Sequence, residues 1–184
     1  MPSEKITEML NESIRQELLV SDFYGLFETI FREDREFWYT LSQEELNHSA
    51  ILQAERDDFY AVGLLPEELV LADSETLQEQ NILLSDFLET LKKSPPSIEQ
   101  AFSIGFCLEG AITETIFRSC LEEHPETRAL RIFQLIVGEE RAHIERILQY
   151  ASKMEISIEK TASLETLVRS FRHGAVSRDS RYLL

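Results

Sequence analysis

Two stretches of the chain share a heptad pattern of apolar residues that is interrupted at its centre by ionisable side chains. In 38–59 and again in 133–154, the stripe advances in alternating steps of three and four residues, the spacing of one packed helix face. Every stripe position in the second stretch lies 95 residues after its counterpart in the first. Both stretches hold Glu-x-x-His where a central apolar pair is expected. These pairs are Glu45 with His48 and Glu140 with His143.

A second internal repeat places one Glu in the apolar stripe of each of two further helices. Residues 10–24 and 102–116 match at an offset of 92, and Glu17 and Glu109 hold the same central position. The second stretch is the clearer case, because Glu109 and Glu114 are its only charged side chains. The repeats therefore predict four helices that each turn a carboxylate toward a common core.

Four carboxylates in the core of a bundle need compensation. A bare buried carboxylate is costly and normally protonates or finds a partner, and four in one layer repel each other. Two divalent cations would neutralise them, and an imidazole three residues from a Glu lies on the same helical face. Helical bundles that bind two metal ions use one Glu from each of two helices and Glu-x-x-His from each of the other two. The predicted ligands are Glu17, Glu45, His48, Glu109, Glu140 and His143.

Neighbouring acids leave alternatives open at these positions. Glu44 and Glu139 adjoin the acids of the two Glu-x-x-His pairs, although neither stands three residues before a His. Glu12 and Glu28 are the alternatives on the first helix, and Glu114 is the alternative on the third long helix.

Several further side chains lie near the predicted ligands. Asp22 and Glu114 occupy equivalent repeat positions, either as acids that orient a ligating His or at the rim. Tyr24 and Tyr150 lie two turns from a ligand, either as redox-active neighbours or as core aromatics with satisfied hydroxyls. Glu55 lies one layer out, where it lines an ion route or marks the end of the bundle.

Composition excludes several classes of function. The chain has 34 acidic and 18 basic residues among 184, a net charge of -16, which argues against nucleic-acid and anionic-membrane partners. It has no uncharged apolar run long enough to span a bilayer and no basic, apolar leader at its start, so we expect a cytoplasmic protein. Cys107 and Cys120 form no CxxC pair and are interpreted as reduced, buried thiols. His124 and His173 fall outside the stripes and are expected to be exposed.

The expected fold is all-α, because glycine and proline are sparse and alternating strand patterns are hard to find. The predicted long helices cover roughly 3–31, 35–61, 98–122 and 126–154. An amphipathic segment at 74–93 would run along the bundle as a long crossover between the second and third long helices. Residues 1–155 would thus form a four-helix bundle, and 156–184 a short helix near 164–172 with a polar tail.

These segments resemble the ferritin-like superfamily, and more closely its rubrerythrin-like branch. The segments ELLVSDFYGLF and FWYTLSQEELNHSAIL look like the first metal-binding hairpin of that branch, and CLEGAITETIF and FQLIVGEERAHIERIL look like the second. The resemblance spans about 5–152 and implies the same six ligands. It departs from the branch in having no four-cysteine rubredoxin domain and in placing Phe106 where an extra carboxylate would stand. The symmetric ligand set looks more like that of bacterioferritin.

The resemblance implies a non-haem di-iron protein, with manganese or a mixed Fe/Mn pair as alternatives. Its expected function is a rubrerythrin-like oxidase or peroxidase in oxidative-stress defence, which reacts with O2 or H2O2 and takes electrons from an external donor. Glu45 and Glu140 would bridge the metals, and Glu17 and Glu109 would be terminal or shifting ligands. The alternatives are an iron-handling protein for ferroxidase activity, storage or delivery, and a ferritin-fold scaffold that binds a partner. We expect a homodimer or a larger homo-oligomer.

Overall fold

Five long α-helices account for most of the residues that the computed structural model describes, which are 2–62, 74–115, 128–159, 165–169 and 171. The helices are α1 (Pro2–Ile30), α2 (Arg35–Val62), α3 (Ser74–Lys93), α4 (Ile98–Thr115) and α5 (Arg128–Lys153). These ranges contain no β-strand, so the all-α prediction is confirmed for the part of the chain that the structure describes. The crossover helix α3 has the bounds that the sequence predicted.

Local signals in the sequence account for the helix boundaries. Before α4, the backbone N–H of Ser97 donates to Oε1 of Gln100 at 2.8 Å, and Gln100 N–H donates to the Ser97 hydroxyl at 3.3 Å. This reciprocal pair is the predicted capping box. Between α1 and α2, a 3-10 turn at Arg32–Asp34 reverses the chain, and Arg35 donates to Glu28 across it at 2.9 Å.

The helices pack as two antiparallel pairs and a crossover. Helix α1 lies along α2 and α4 lies along α5, while smaller contacts of α2 with α5 and of α1 with α4 join the pairs. Helix α3 packs on α1 through a buried apolar face. That face comprises Leu77, Leu84, Phe87, Leu88 and Leu91. The packing places the central Glu of α1, α2, α4 and α5 at one level of the core.

Apolar layers lie on both sides of that level. On one side, the Trp38 ring lies 5.7 Å from Tyr24 and 4.6 Å from Phe102, measured between ring centroids. On the other side, Leu10 and Leu52 are buried one heptad from Glu17 and Glu45. Since these layers contain fully buried side chains, they close the polar level to water at both of its ends along the bundle.

The segment after α5 packs back onto the bundle. The backbone N–H of Glu159 donates to the Ser103 hydroxyl at 2.9 Å, and the Phe171 ring lies 5.3 Å from Phe87. Residues 165–169 are helical and bury Leu167 and Val168, in keeping with the predicted short helix.

Some predictions fall outside the described residues. They concern the end of the third long helix beyond residue 115, Cys120, His124, His173 and the tail from 172. Within the described residues, none of the helices combines the length and the apolar character that crossing a membrane requires.

Candidate metal centre

The six predicted ligands lie together in the core. They form two groups whose ligand atoms lie within 4.8 Å of one another and which share Glu45 and Glu140. We name the group that adds Glu17 and His48 the His48 position, and the group that adds Glu109 and His143 the His143 position. None of the six is more than 2% exposed. Of the alternative acids whose side chains the structure describes, Glu12, Glu28, Glu44 and Glu139, none belongs to either group.

Three carboxylates from three helices surround Nδ1 of His48. The oxygens of Glu45 and Glu140 lie 3.2 Å from this nitrogen, and an oxygen of Glu17 lies 3.6 Å from it. An imidazole N–H donates one good hydrogen bond, so it cannot satisfy three carboxylates. This convergence of oxygens on one nitrogen is the arrangement that a cation ligated by all four side chains requires.

The His143 position repeats this geometry on the other side of Glu45. Nδ1 of His143 lies 2.9 Å from Oε1 of Glu45 and 3.3 Å from Oε2 of Glu109. Glu45 therefore presents Oε2 to His48 and Oε1 to His143. A carboxylate with one oxygen directed to each position has the geometry of a bridge between two cations.

Two acids outside the cluster hold the far side of each imidazole ring. Nε2 of His48 lies 2.7 Å from Glu139 on α5, and Nε2 of His143 lies 3.2 Å from Glu44 on α2. The contacts cross, since each acid serves the histidine of the opposite helix. A carboxylate on Nε2 favours a proton there and turns the Nδ1 lone pair toward the core.

The sequence contained a signal for these outer acids that the interpretation missed. Each Glu-x-x-His pair is preceded by a second acid, Glu44 or Glu139, which is interpreted from the sequence as an alternative for the adjacent Glu45 or Glu140. Asp22, considered for this orienting role, is exposed and fits the rim location instead. The side chain of its repeat partner, Glu114, lies outside the described residues.

The other alternative acids have partners elsewhere. Glu12 accepts a hydrogen bond from Asn81 of α3 at 2.8 Å, and Glu28 pairs with Arg35 at 2.9 Å. Glu55 is 5% exposed on α2 and belongs to neither ligand group.

Of the two tyrosines near the cluster, only Tyr24 contacts a predicted ligand. Its hydroxyl, fully buried, donates to Oε1 of Glu109. Burial and the negative charge of Glu109 raise the pKa of Tyr24 well above its usual value. The Tyr150 hydroxyl instead donates to Asp34 at 2.8 Å.

The acids and imidazoles compensate one another through their protons. Burial and the charge of Glu45 raise the pKa of Glu17 to about 8, although contact with His48 lowers it. Burial, Glu109 and Glu45 raise the pKa of Glu140. Burial alone would raise the pKa of Glu45 as well. The hydrogen bonds of Glu45 with His143 and His48 outweigh this effect and lower the pKa to about 2.

Both histidines hold protons strongly for the same reason. Burial lowers the pKa of each imidazole, but this effect is outweighed by the surrounding carboxylates. Glu140, Glu17 and Glu45 raise the pKa of His48 above its usual value, and Glu109 with Glu45 raises that of His143 to about 10. The cluster thus binds protons in the place where cations would provide the same charge compensation.

The donor set fits a pair of divalent cations. Both carboxylate oxygens of Glu17 and both of Glu140 are buried without a hydrogen-bond partner. Four carboxylates balance the charge of two divalent ions, and mixed oxygen and imidazole donors suit iron, manganese and zinc. The residues present are therefore able to hold such a pair, with Glu45 and Glu140 common to both ions.

A groove between α2 and α5 leads to the outer side of the cluster. It has a volume of about 860 Å³ and is lined by Glu44, Glu139, His143 and Arg146, together with small side chains such as Ala50 and Ala142. Arg146 forms a two-pronged ion pair with Glu44, at 3.0 and 2.5 Å. The groove gives solvent a short path to the imidazole of His143.

Comparison with known proteins finds no family model, no curated protein and no solved structure that matches this chain.

Proposed function

We propose that this chain is a ferritin-like di-iron carboxylate protein of the rubrerythrin-like kind, which reacts with O2 or H2O2. The observation that carries the proposal is the pair of buried ligand groups sharing Glu45 and Glu140. Manganese or a mixed Fe/Mn pair is the alternative occupant, because the donor types suit both metals. The same resemblance makes oxidative-stress defence the expected setting, with electrons from an external donor.

Bound iron would supply the redox chemistry, as two neighbouring ions that exchange electrons with a small oxidant. The side chains would fix the ions and control protons. Glu45 directs one oxygen to each position, and Glu17 and Glu109 approach from α1 and α4 as terminal ligands. Tyr24 holds a proton on its hydroxyl against Oε1 of Glu109. The apolar layers on both sides exclude water from these contacts.

An iron-handling role is the second candidate. It is favoured by the groove between α2 and α5, where Glu44 and Glu139 lie between solvent and the two imidazoles. The net charge of -16 would also attract Fe²⁺ to the surface. Such a protein would oxidise, store or deliver iron rather than reduce peroxide. A scaffold role is less well supported, because a scaffold has no need of a complete buried ligand set.

Metal content and the optical spectrum test the proposal. The purified chain, reconstituted with Fe²⁺ without oxygen and desalted, should hold close to two irons and develop the absorption of an oxo-bridged di-ferric centre on exposure to air. Less than about one iron or manganese per chain would refute both metal-based functions.

Kinetics separate the two metal-based functions. Steady consumption of H2O2 with a reduced electron donor supports the peroxidase. Rapid Fe²⁺ oxidation, with iron accumulating beyond two ions per chain and no peroxide turnover, supports iron handling. Measuring the size of the assembly in the same preparation shows whether a storage shell exists, since storage needs many subunits.

A further inference from the structure

We propose that the two cation positions are unequal, and that the His48 position binds a divalent cation more tightly and fills first. The proposal rests on the metal centre proposed above and adds the order in which its positions load. The internal repeat makes the asymmetry visible, because it relates each residue of one position to a counterpart in the other.

The first difference is a positive charge beside the His143 position. Glu44, the outer acid of His143, is held by the guanidinium of Arg146 at 3.0 and 2.5 Å. The repeat offset of 95 pairs Arg146 with Ile51, an apolar residue on α2. Among the described residues, no lysine or arginine lies within ion-pair distance of Glu139, the outer acid of His48. A cation at the His143 position therefore faces an added positive charge that is absent at the His48 position.

The second difference is the hydrogen bond to a terminal carboxylate. Oε1 of Glu109 accepts a hydrogen bond from the Tyr24 hydroxyl, and this bond leaves the oxygen less available to a metal. The repeat offset of 92 pairs Tyr24 with Ile116, a residue outside the described ranges that has no hydroxyl group to donate. Correspondingly, both oxygens of Glu17 are buried without a hydrogen-bond donor.

The two differences act in the same direction. Glu109, the unshared carboxylate of the His143 position, and its outer acid Glu44 have protein partners in Tyr24 and Arg146. Among the described residues, the ion-pair contacts of Glu17 and Glu139 are with His48. Once its own proton is displaced, a carboxylate without a tyrosine or arginine partner gains more from a cation than a carboxylate that has such a partner. The two positions thus differ in charge even though their ligand types are the same.

Calorimetric titration of the metal-free chain with Mn²⁺ tests the loading order. We expect two binding events whose affinities differ by at least about tenfold, the size of effect that one nearby charge produces. His143→Ala should abolish the weaker event and keep the tighter one, and His48→Ala should do the reverse.

Charge swaps between repeat partners provide the sharper test. Arg146→Ile should strengthen the weaker event by about fivefold or more, and Ile51→Arg should weaken the tighter event by a similar factor. Tyr24→Phe should also strengthen the weaker event. Arg146→Lys keeps the charge and should change little, and Arg141→Ile removes an exposed charge of α5 as the matched control. Circular dichroism and the melting temperature verify that each variant folds.

The outcomes are distinguishable. Two events of equal affinity that do not respond to Arg146→Ile or Ile51→Arg would overturn the unequal loading and leave the metal centre standing. Loss of the tighter event in His143→Ala would reverse the order and overturn the proposal. An absence of Mn²⁺ and Fe²⁺ binding in the folded wild-type chain would instead overturn the proposed function.

Discussion

The imidazole rings of His48 and His143 lie nearly parallel, with an interplanar angle of 15° and centroids 5.5 Å apart. Both direct Nδ1 toward Glu45, at 3.2 Å for His48 and 2.9 Å for His143. Two imidazolium rings in this arrangement repel each other, so positive charge on both is tolerated only because carboxylates surround them. The rings are therefore protonated in the metal-free chain, and they would have to lose these protons to ligate cations.

Removal of a shared ligand should affect both positions, and removal of an unshared ligand only one. Glu45→Gln keeps the shape of the side chain but removes its charge, and we expect less than about one Mn²⁺ per chain after reconstitution. Glu17→Gln should retain about one, because Glu17 belongs only to the His48 position. Elemental analysis of desalted protein measures both. Glu28→Gln, on the same helix as Glu17 but outside the cluster, should bind as the wild type does.

Loss of an outer acid should weaken metal binding without removing a ligand. In Glu139→Ala, Nε2 of His48 loses its 2.7 Å partner, and the affinity for Mn²⁺ should fall by about 10- to 100-fold. The exposed Glu145 on the same helix is the matched control, and Glu145→Ala should leave the affinity unchanged. Equal affinities in the two variants would mean that Glu139 does not orient the imidazole. Calorimetry measures the effect directly.

Metal binding should release protons. At pH 7, His143 with a pKa of about 10 and Glu17 with a pKa of about 8 both carry protons in the metal-free chain. A cation displaces them, so the affinity for Mn²⁺ should rise as the pH rises from 6.5 to 9. Titrations at pH 7 in buffers of different ionisation enthalpy count the protons. Identical heats in all buffers would contradict the prediction.

The stability of the metal-free chain should fall with rising pH. The folded-state pKa of His143 lies above its unfolded value of 6.5, so the stability from its proton is complete below pH 6.5 and is lost as the pH rises through about 10. The raised pKa of Glu17 acts in the same direction between pH 4.5 and about 8. Urea unfolding with a chelator should give a lower free energy at pH 9 than at pH 6. Saturating Mn²⁺ should reduce or reverse this trend, and a chelated chain more stable at pH 9 would refute it.

The Tyr24 hydroxyl should matter more to stability than the Tyr150 hydroxyl. Tyr24→Phe leaves a fully buried carboxylate oxygen of Glu109 without its donor, and should lower the free energy of unfolding of the metal-free chain by about 1–3 kcal/mol. Tyr150→Phe removes a half-buried bond to Asp34 and should cost less than about 1 kcal/mol. Equal decreases in the free energy of unfolding, measured with urea, would show that the Tyr24–Glu109 hydrogen bond stabilises the chain no more than the Tyr150–Asp34 hydrogen bond does.

The burial of Glu45 and His48 was predictable from the sequence, because periodicity identifies which side chains face inward. Glu45 and His48 fall on the same stripe as Trp38 and Leu41, and all four are buried. The capping box at Ser97 was equally predictable from the sequence, because its two partners, Ser97 and Gln100, lie three residues apart.

The outer contacts were not predictable in the same way. Glu139 reaches His48 across 91 positions of the chain, and Arg146 reaches Glu44 across 102. These side chains lie at the edge of their helices, where heptad periodicity assigns them to the solvent face. Their partners depend on how α2 and α5 are positioned relative to each other, which is a property of the tertiary packing.

The sharing of Glu45 and Glu140 also bears on how such a chain could arise. Neither helical hairpin holds a complete position by itself. The position of the α1–α2 hairpin includes Glu140 from α5, and the position of the α4–α5 hairpin includes Glu45 from α2. A single ancestral hairpin would complete its site only in a symmetric dimer with a second copy of itself. Duplication and fusion of that hairpin would keep the exchange of shared carboxylates while freeing each half to differ, as Arg146 and Ile51 differ at equivalent positions of the repeat.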